Sequence, residues 1–236
     1  MASLKEKDIR LVAFDADDTL WDNQSFFDRA VDDYCSLLSG YGDKDQMYAK
    51  LYDTECGNMA SLGYGTKAFI ISLVENAIEV SGGKASNALL KKAVSIGRSI
   101  LENPAHPLEG AEETLSRLKA SGKYRMVLFT KGDPLEQEAK LDRSGLRRFF
   151  DDVEVVSNKT PDEYIMLCRH NGVRPEEFLM VGNSFKSDID PALRIGGNAV
   201  LIPFGNLWEH ERVEEYDHPD LVRLSKFSAL LTVLDS

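Results

Sequence analysis

From Glu109 onward the chain alternates in a way that few folds accept. Short apolar or β-branched runs at 125–130, 153–156, 178–181 and 199–202 are separated by helical patterns at 111–120, 135–143, 162–171 and 189–195. Strands that alternate with helices predict a parallel sheet covered on both faces. One further apolar run, Leu11-Val-Ala-Phe14, stands apart near the amino end. A single hydrophobic strand is not stable alone, so it must join that sheet. Between this strand and Pro104 only helical periodicity is found. Helices are expected from Ser25, with Asp28 as its capping partner, to Gly40; over 44–56, stopped by Gly57; over 66–80, ending at Gly82-Gly83; and from Ser86 to just before Asn103-Pro104. Four helices in succession read as a small bundle. The expected organisation is an α/β domain formed by residues 1–21 and 105–236, with residues 22–104 inserted as an all-helical domain.

The first strand ends in Asp15-Ala-Asp-Asp-Thr19, three carboxylates within four residues. Like charges at a sheet edge are unfavourable unless a cation or a reaction uses them. In open parallel sheets, ligands bind outside the carboxyl ends of the strands. Asp15 and Thr130 fall at such ends, and Asn183 lies just beyond one, in Gly182-Asn-Ser-Phe-Lys-Ser-Asp188. The helical insertion leaves from the same edge and can cover it. Lys159 precedes Thr160, Pro161 and Glu163, which together read as a helix start. The helix macrodipole disfavours a cation there, and a negative ligand or nearby carboxylates reverse that preference. Asp18 and Thr19 are expected to bind local backbone or side-chain groups, and Asp190 to open a helix. Lys131 is expected to be solvated. The histidines His106, His170, His210 and His218 share no ligand spacing and read as surface residues, and Trp208 as packing.

The acidic excess, 39 acidic against 28 basic residues and a net charge of −11, argues against nucleic acid as a partner. Cys35, Cys56 and Cys168 form neither a CxxC pair nor a disulfide framework. Reduced thiols in a cytoplasmic protein are expected. No apolar run approaches the ~20 residues of a membrane span, and the amino terminus lacks the apolar centre of a signal peptide.

Taken in order, Asp15-x-Asp17-x-Thr19, Thr130, Lys159 and Gly182-Asn-Ser-x-x-Ser-Asp188 resemble the four motifs of the haloacid dehalogenase superfamily, phosphatase branch, with a helical cap between the first and second motifs. The resemblance spans essentially the whole chain. It implies a Rossmann-like parallel sheet core with an inserted four-helix cap, and a Mg²⁺-dependent phosphatase acting on a small phosphorylated metabolite. On this resemblance Asp15 is the nucleophile that forms an aspartyl phosphate, and Asp17 is the acid and base. Thr130 and Lys159 bind phosphate. Asp15, Asp17 (through its backbone carbonyl in the family pattern), Asp188 and Asn183 surround the metal. Asn183 departs from the acid more common there, which removes one negative charge from the metal's surroundings. A phosphomutase of the same superfamily and a non-catalytic phospho-accepting or phosphate-binding protein remain alternatives. Monomer and dimer are equally open.

Overall fold

The computed structural model describes residues 4–205 and 207–234. Among these residues the strands form one parallel sheet in the order β3-β2-β1-β4-β5-β6. The strands are β1 (Leu11–Phe14), β2 (Arg125–Lys131), β3 (Asp152–Val156), β4 (Phe178–Gly182), β5 (Asn198–Leu201) and β6 (Leu221–Arg223). The helical segments are α1 (Gln24–Leu37), α2 (Lys44–Leu62), α3 (Thr66–Val80), α4 (Asn87–Ser99), α5 (Ala111–Ser121), α6 (Pro134–Ser144), α7 (Pro161–His170), α8 (Asp190–Arg194) and α9 (Leu230–Leu234).

Every residue of β1 is buried, because side chains alternate between two covered faces. Val12 and Phe14 join Leu115 and Leu118 of α5, Leu141 of α6 and Leu230 of α9 in one apolar cluster. Leu11 and Ala13 join Tyr164 and Leu167 of α7 and Ala192 of α8 in another. Burying each large aliphatic or aromatic side chain contributes roughly 1.5–3 kcal/mol, which ties the central strand to both helical layers. β2 and β3 extend the sheet on one side of β1, and β4, β5 and β6 on the other. The crevice at this reversal, beyond the strand carboxyl ends, is where an open α/β sheet accepts ligands.

The segment between β1 and β2 carries α1 to α4 around its own apolar cluster, including Tyr34, Leu51, Phe69 and Leu73. The Tyr34 hydroxyl donates to the Leu73 carbonyl at 2.8 Å and lies 2.9 Å from Asn76 Oδ1. The two chain crossings are fastened to each other, since Asn103 Nδ2 donates to the Asp22 carbonyl at 2.9 Å.

Several local expectations are corrected. α2 runs through Gly57 to Leu62 and ends at Gly63, whose φ of 70° supplies the left-handed terminus. Gly57 costs about 1 kcal/mol in a helix interior, and burial of Met47 and Leu51 on the same helix offsets it. α1 starts at Gln24 without a Ser25–Asp28 box. Its first amide and that of Asn23 instead donate to Asp18 Oδ1, both at 2.8 Å, and Ser25 N to Asp22 Oδ1 at 3.2 Å. Beyond Ile202, β6 and α9 were not anticipated, because each is too short to show a period.

Candidate active site

β1 ends at Phe14, and the Asp15 amide still donates to the Val181 carbonyl of β4 at 2.9 Å. Asp15 is thereby held at the carboxyl end of the central strand. Its Oδ1 accepts from Lys159 Nζ at 2.5 Å and its Oδ2 from Thr19 Oγ1 at 3.2 Å. Thr19 Oγ1 is also 3.2 Å from Asn183 Oδ1, which brings the loops after β1 and β4 together. Lys159 sits just before α7, whose N-cap Thr160 accepts from Glu163 N. Its Nζ donates at 2.7 Å to Oδ1 of Asp188 as well. The second Asp188 oxygen accepts from Ser184 N at 2.9 Å. The loop after β4 folds tightly because it continues into one π-helical turn, Phe185–Ile189, capped by the Ser184 hydroxyl.

Asp15, Lys159 and Asp188 are all buried. Burial and the Asp188 charge, opposed by Lys159, push the Asp15 carboxyl up to about 7. Burial would lower the Lys159 ammonium, but the Asp15 and Asp188 carboxylates more than reverse that and raise it. Two buried carboxylates against one ammonium leave a negative excess at the crevice. Gly182 is required beneath them: a Cβ there would lie 2.2 Å from Asp188 Oδ2.

Asp17 lines the same cavity as Asp15, and its carboxylate has hydrogen-bond partners of its own. Lys140 Nζ lies 2.6 and 2.7 Å from its two oxygens, Gln137 Nε2 2.9 Å and Trp21 Nε1 2.7 Å. Asp18 has a φ of 61° and points away into the start of α1, as expected of a local hydrogen-bond former. Burial pushes its carboxyl up to about 7, although the Gln24 and Asn23 amides oppose the shift. Thr130 is buried, lines the cavity and stands one residue before the end of β2.

The cavity has a volume of about 140 Å³. The core contributes Asp15, Asp17, Thr130, Lys159, Asn183 and Asp188, and α1 to α3 contribute Phe27, Asn58, Met59 and Phe69. Among the described residues no group of three or more His, Cys, Asp or Glu side chains is arranged to hold a metal ion. The available donors are carboxylate oxygens, the Asn183 amide oxygen and backbone carbonyls. That all-oxygen set and the negative excess fit a hard divalent cation of the Mg²⁺ type.

Lys131 is not solvated. Its Nζ pairs with Glu211, donates to Ser187 Oγ at 2.9 Å and lies 4.2 Å from the centre of the Tyr64 ring. Glu211 accepts in addition from the Ser184 and Ser187 hydroxyls. Burial works to raise its carboxyl, but Lys131 and these hydroxyls hold it down at about 2. His210 is not a surface residue either: its side chain is 6% exposed and its ring stacks on Tyr52 of α2 at 4.3 Å. Trp208 meets Tyr64 edge-on at 5.9 Å. Lys140, Gln137 and Glu211 were missed at the level of sequence. The i, i+4 spacing of Glu136 and Lys140 on α6 is the one signal that marked a shared face.

A parallel sheet with a buried Asp–Lys–Asp cluster at its reversal point and a helical insertion over it is a Rossmann-like α/β architecture. The family model described as haloacid dehalogenase-like hydrolase matches residues 9–196, and the chain belongs to that family. A solved haloacid dehalogenase-like family hydrolase from Xanthomonas campestris is 34% identical, with a TM-score of 0.84 over 97% of this chain and 91% of that one. The glyceraldehyde 3-phosphate phosphatase of Methanothermobacter thermautotrophicus is 28% identical over 214 residues, which cover 86% of this chain and 89% of that protein. The human N-acylneuraminate-9-phosphatase is 25% identical over 204 residues, covering 82% of each. No helix among the described residues is long and apolar enough to cross a membrane.

Proposed function

We propose that the protein is a Mg²⁺-dependent phosphatase of small phosphorylated metabolites, working through an aspartyl phosphate. The observation that carries this is the convergence of Asp15, Lys159 and Asp188 within hydrogen-bond distance at the carboxyl ends of β1 and β4. The phosphatases among its relatives support the substrate class.

In this mechanism Asp15 attacks phosphorus and the ester P–O bond breaks. Asp17 gives its proton to the departing alcohol oxygen. Water then attacks the aspartyl phosphate, the Asp15–phosphorus bond breaks with its electrons returning to the carboxylate, and Asp17 takes the water's proton. Lys159 holds the Asp15 carboxylate in place and offsets phosphate charge, and the Thr130 hydroxyl donates to a phosphate oxygen. Asp15, Asp188, Asn183 and the backbone carbonyl of Asp17 would hold the cation. When bound, the cation offsets the repulsion between a phosphate dianion and these carboxylates. Residues 22–104 act as a cap domain on a core formed by residues 1–21 and 105–236. The three free cysteines agree with a cytoplasmic setting.

Hydrolysis of p-nitrophenyl phosphate with and without Mg²⁺ tests the proposal. Turnover that requires the cation and vanishes in Asp15→Asn supports it; a folded wild type that does not turn over any of a panel of phosphate monoesters overturns it.

A further inference from the structure

Two side chains of α6, Gln137 and Lys140, reach Asp17 and have no part in the chemistry above. Lys140 is buried, and taking an ammonium out of water costs several kcal/mol unless partners surround it. Its partners are both Asp17 oxygens, at 2.6 and 2.7 Å, Asn23 Oδ1 at 3.2 Å and Glu136 Oε1 at 3.7 Å. Gln137, also buried, donates to Asp17 Oδ2 at 2.9 Å and to the Lys131 carbonyl at 3.1 Å. Glu136 is anchored in turn: its carboxylate accepts from the amide and hydroxyl of Thr66 at 2.9 and 2.8 Å. α6 is therefore pinned to the start of α3.

Among the described residues, the Asp17 carboxylate accepts from Lys140, Gln137 and Trp21. Together they hold both oxygens of the Asp17 side chain in one orientation at the cavity wall. We propose that Lys140 and Gln137 are positioning residues that aim the Asp17 carboxylate at the water attacking the aspartyl phosphate. In that step the water oxygen bonds to phosphorus, its proton passes to Asp17 and the phosphorus–Asp15 bond breaks. The inference rests on Asp17 being the acid–base group. It adds that the second half-reaction depends on α6.

Rapid-quench kinetics with p-nitrophenyl phosphate and Mg²⁺ tests it, because nitrophenolate leaves readily without an acid. Lys140→Met and Gln137→Leu are expected to release the first equivalent of nitrophenol at close to the wild-type rate. Steady turnover should then be at least about tenfold slower, with a phosphate adduct accumulating on the quenched protein by intact mass. Asp17→Asn should show the same burst and adduct. If Asp17→Asn turns over like wild type, the underlying role of Asp17 fails. If Asp17→Asn accumulates the adduct while the α6 variants keep wild-type turnover, or lose burst and steady state together, the positioning role is overturned. Should Lys140→Met not fold, Gln137→Leu decides the matter alone.

Discussion

Gly182→Ala probes how tightly the cluster around Asp188 is built. A methyl group on the β4 backbone at this position would lie 2.2 Å from Asp188 Oδ2, 2.3 Å from its Cγ and 2.6 Å from its Cβ. Non-bonded carbons pack at about 3.5–4.0 Å, so the Asp188 side chain must move. It is not free to do so: it is buried, with one oxygen on Lys159 Nζ at 2.7 Å and the other on Ser184 N at 2.9 Å. Each hydrogen bond to a charged group contributes about 1.5–3 kcal/mol, and overpacking a filled site costs about 1–3 kcal/mol. Partial relaxation recovers some of this, leaving an expected loss of roughly 2–4 kcal/mol. At about 2–4 °C per kcal/mol for a chain of this size, Tm should fall by roughly 4–16 °C. Thermal and urea denaturation read the stability. Turnover across a Mg²⁺ titration reads the site, where the variant should be at least about tenfold slower at any cation concentration. A variant within about 0.5 kcal/mol of wild type that also turns over normally would show that Asp188 does not depend on this contact.

Asp15→Asn should abolish turnover while leaving the unfolding midpoint at or above that of wild type near pH 8, since it removes one of the two buried carboxylates beside Lys159; a large loss of stability would mean the charge there is structural. Asn183→Asp should lower the Mg²⁺ concentration for half-maximal rate by adding a negative oxygen beside Thr19 and Asp15, and an unchanged or higher value counts against Asn183 lying near the cation. Glu211 has its carboxyl held at about 2 against an ordinary 4.5, so it stabilises the fold above pH 4.5 and loses that contribution as pH falls toward 2. Glu211→Gln should remove about 3 kcal/mol of that acid dependence; denaturation curves of both proteins that fall in parallel over the window would refute the assignment.

Strand–helix alternation was enough to read β1 to β5 but not β6, because strands buried on both faces are apolar throughout, as in β1 and β4. α3 was legible to the residue, since its apolar period and its glycines agree. Gly57 misled because a glycine stops a helix only where the backbone turns left-handed, and that happens at Gly63. The placement of Lys159 was readable from its conflict with a helix amino terminus. The surroundings of Lys131 were not: its partner Glu211 and its neighbour Tyr64 are remote in sequence, and no local pattern connects them. His210 was misread for the same reason, since only the fold brings it onto Tyr52. Asp17's partners Gln137 and Lys140 lie on a helix that was anticipated, but which of its faces turns inward is decided by packing.

The central place of β1 has a bearing on how the chain comes to be folded. The strand that leads into Asp15 leaves the ribosome before the other five strands of the sheet, yet its two neighbours begin only at Arg125 and Phe178. Pairings so distant close late and slowly. The helical insertion, built from sequential contacts, can condense while the remaining strands are still being made. A nascent chain shorter than Phe178 therefore carries an apolar first strand with one edge uncovered, and shielding of that edge during translation is a demand set by the topology itself.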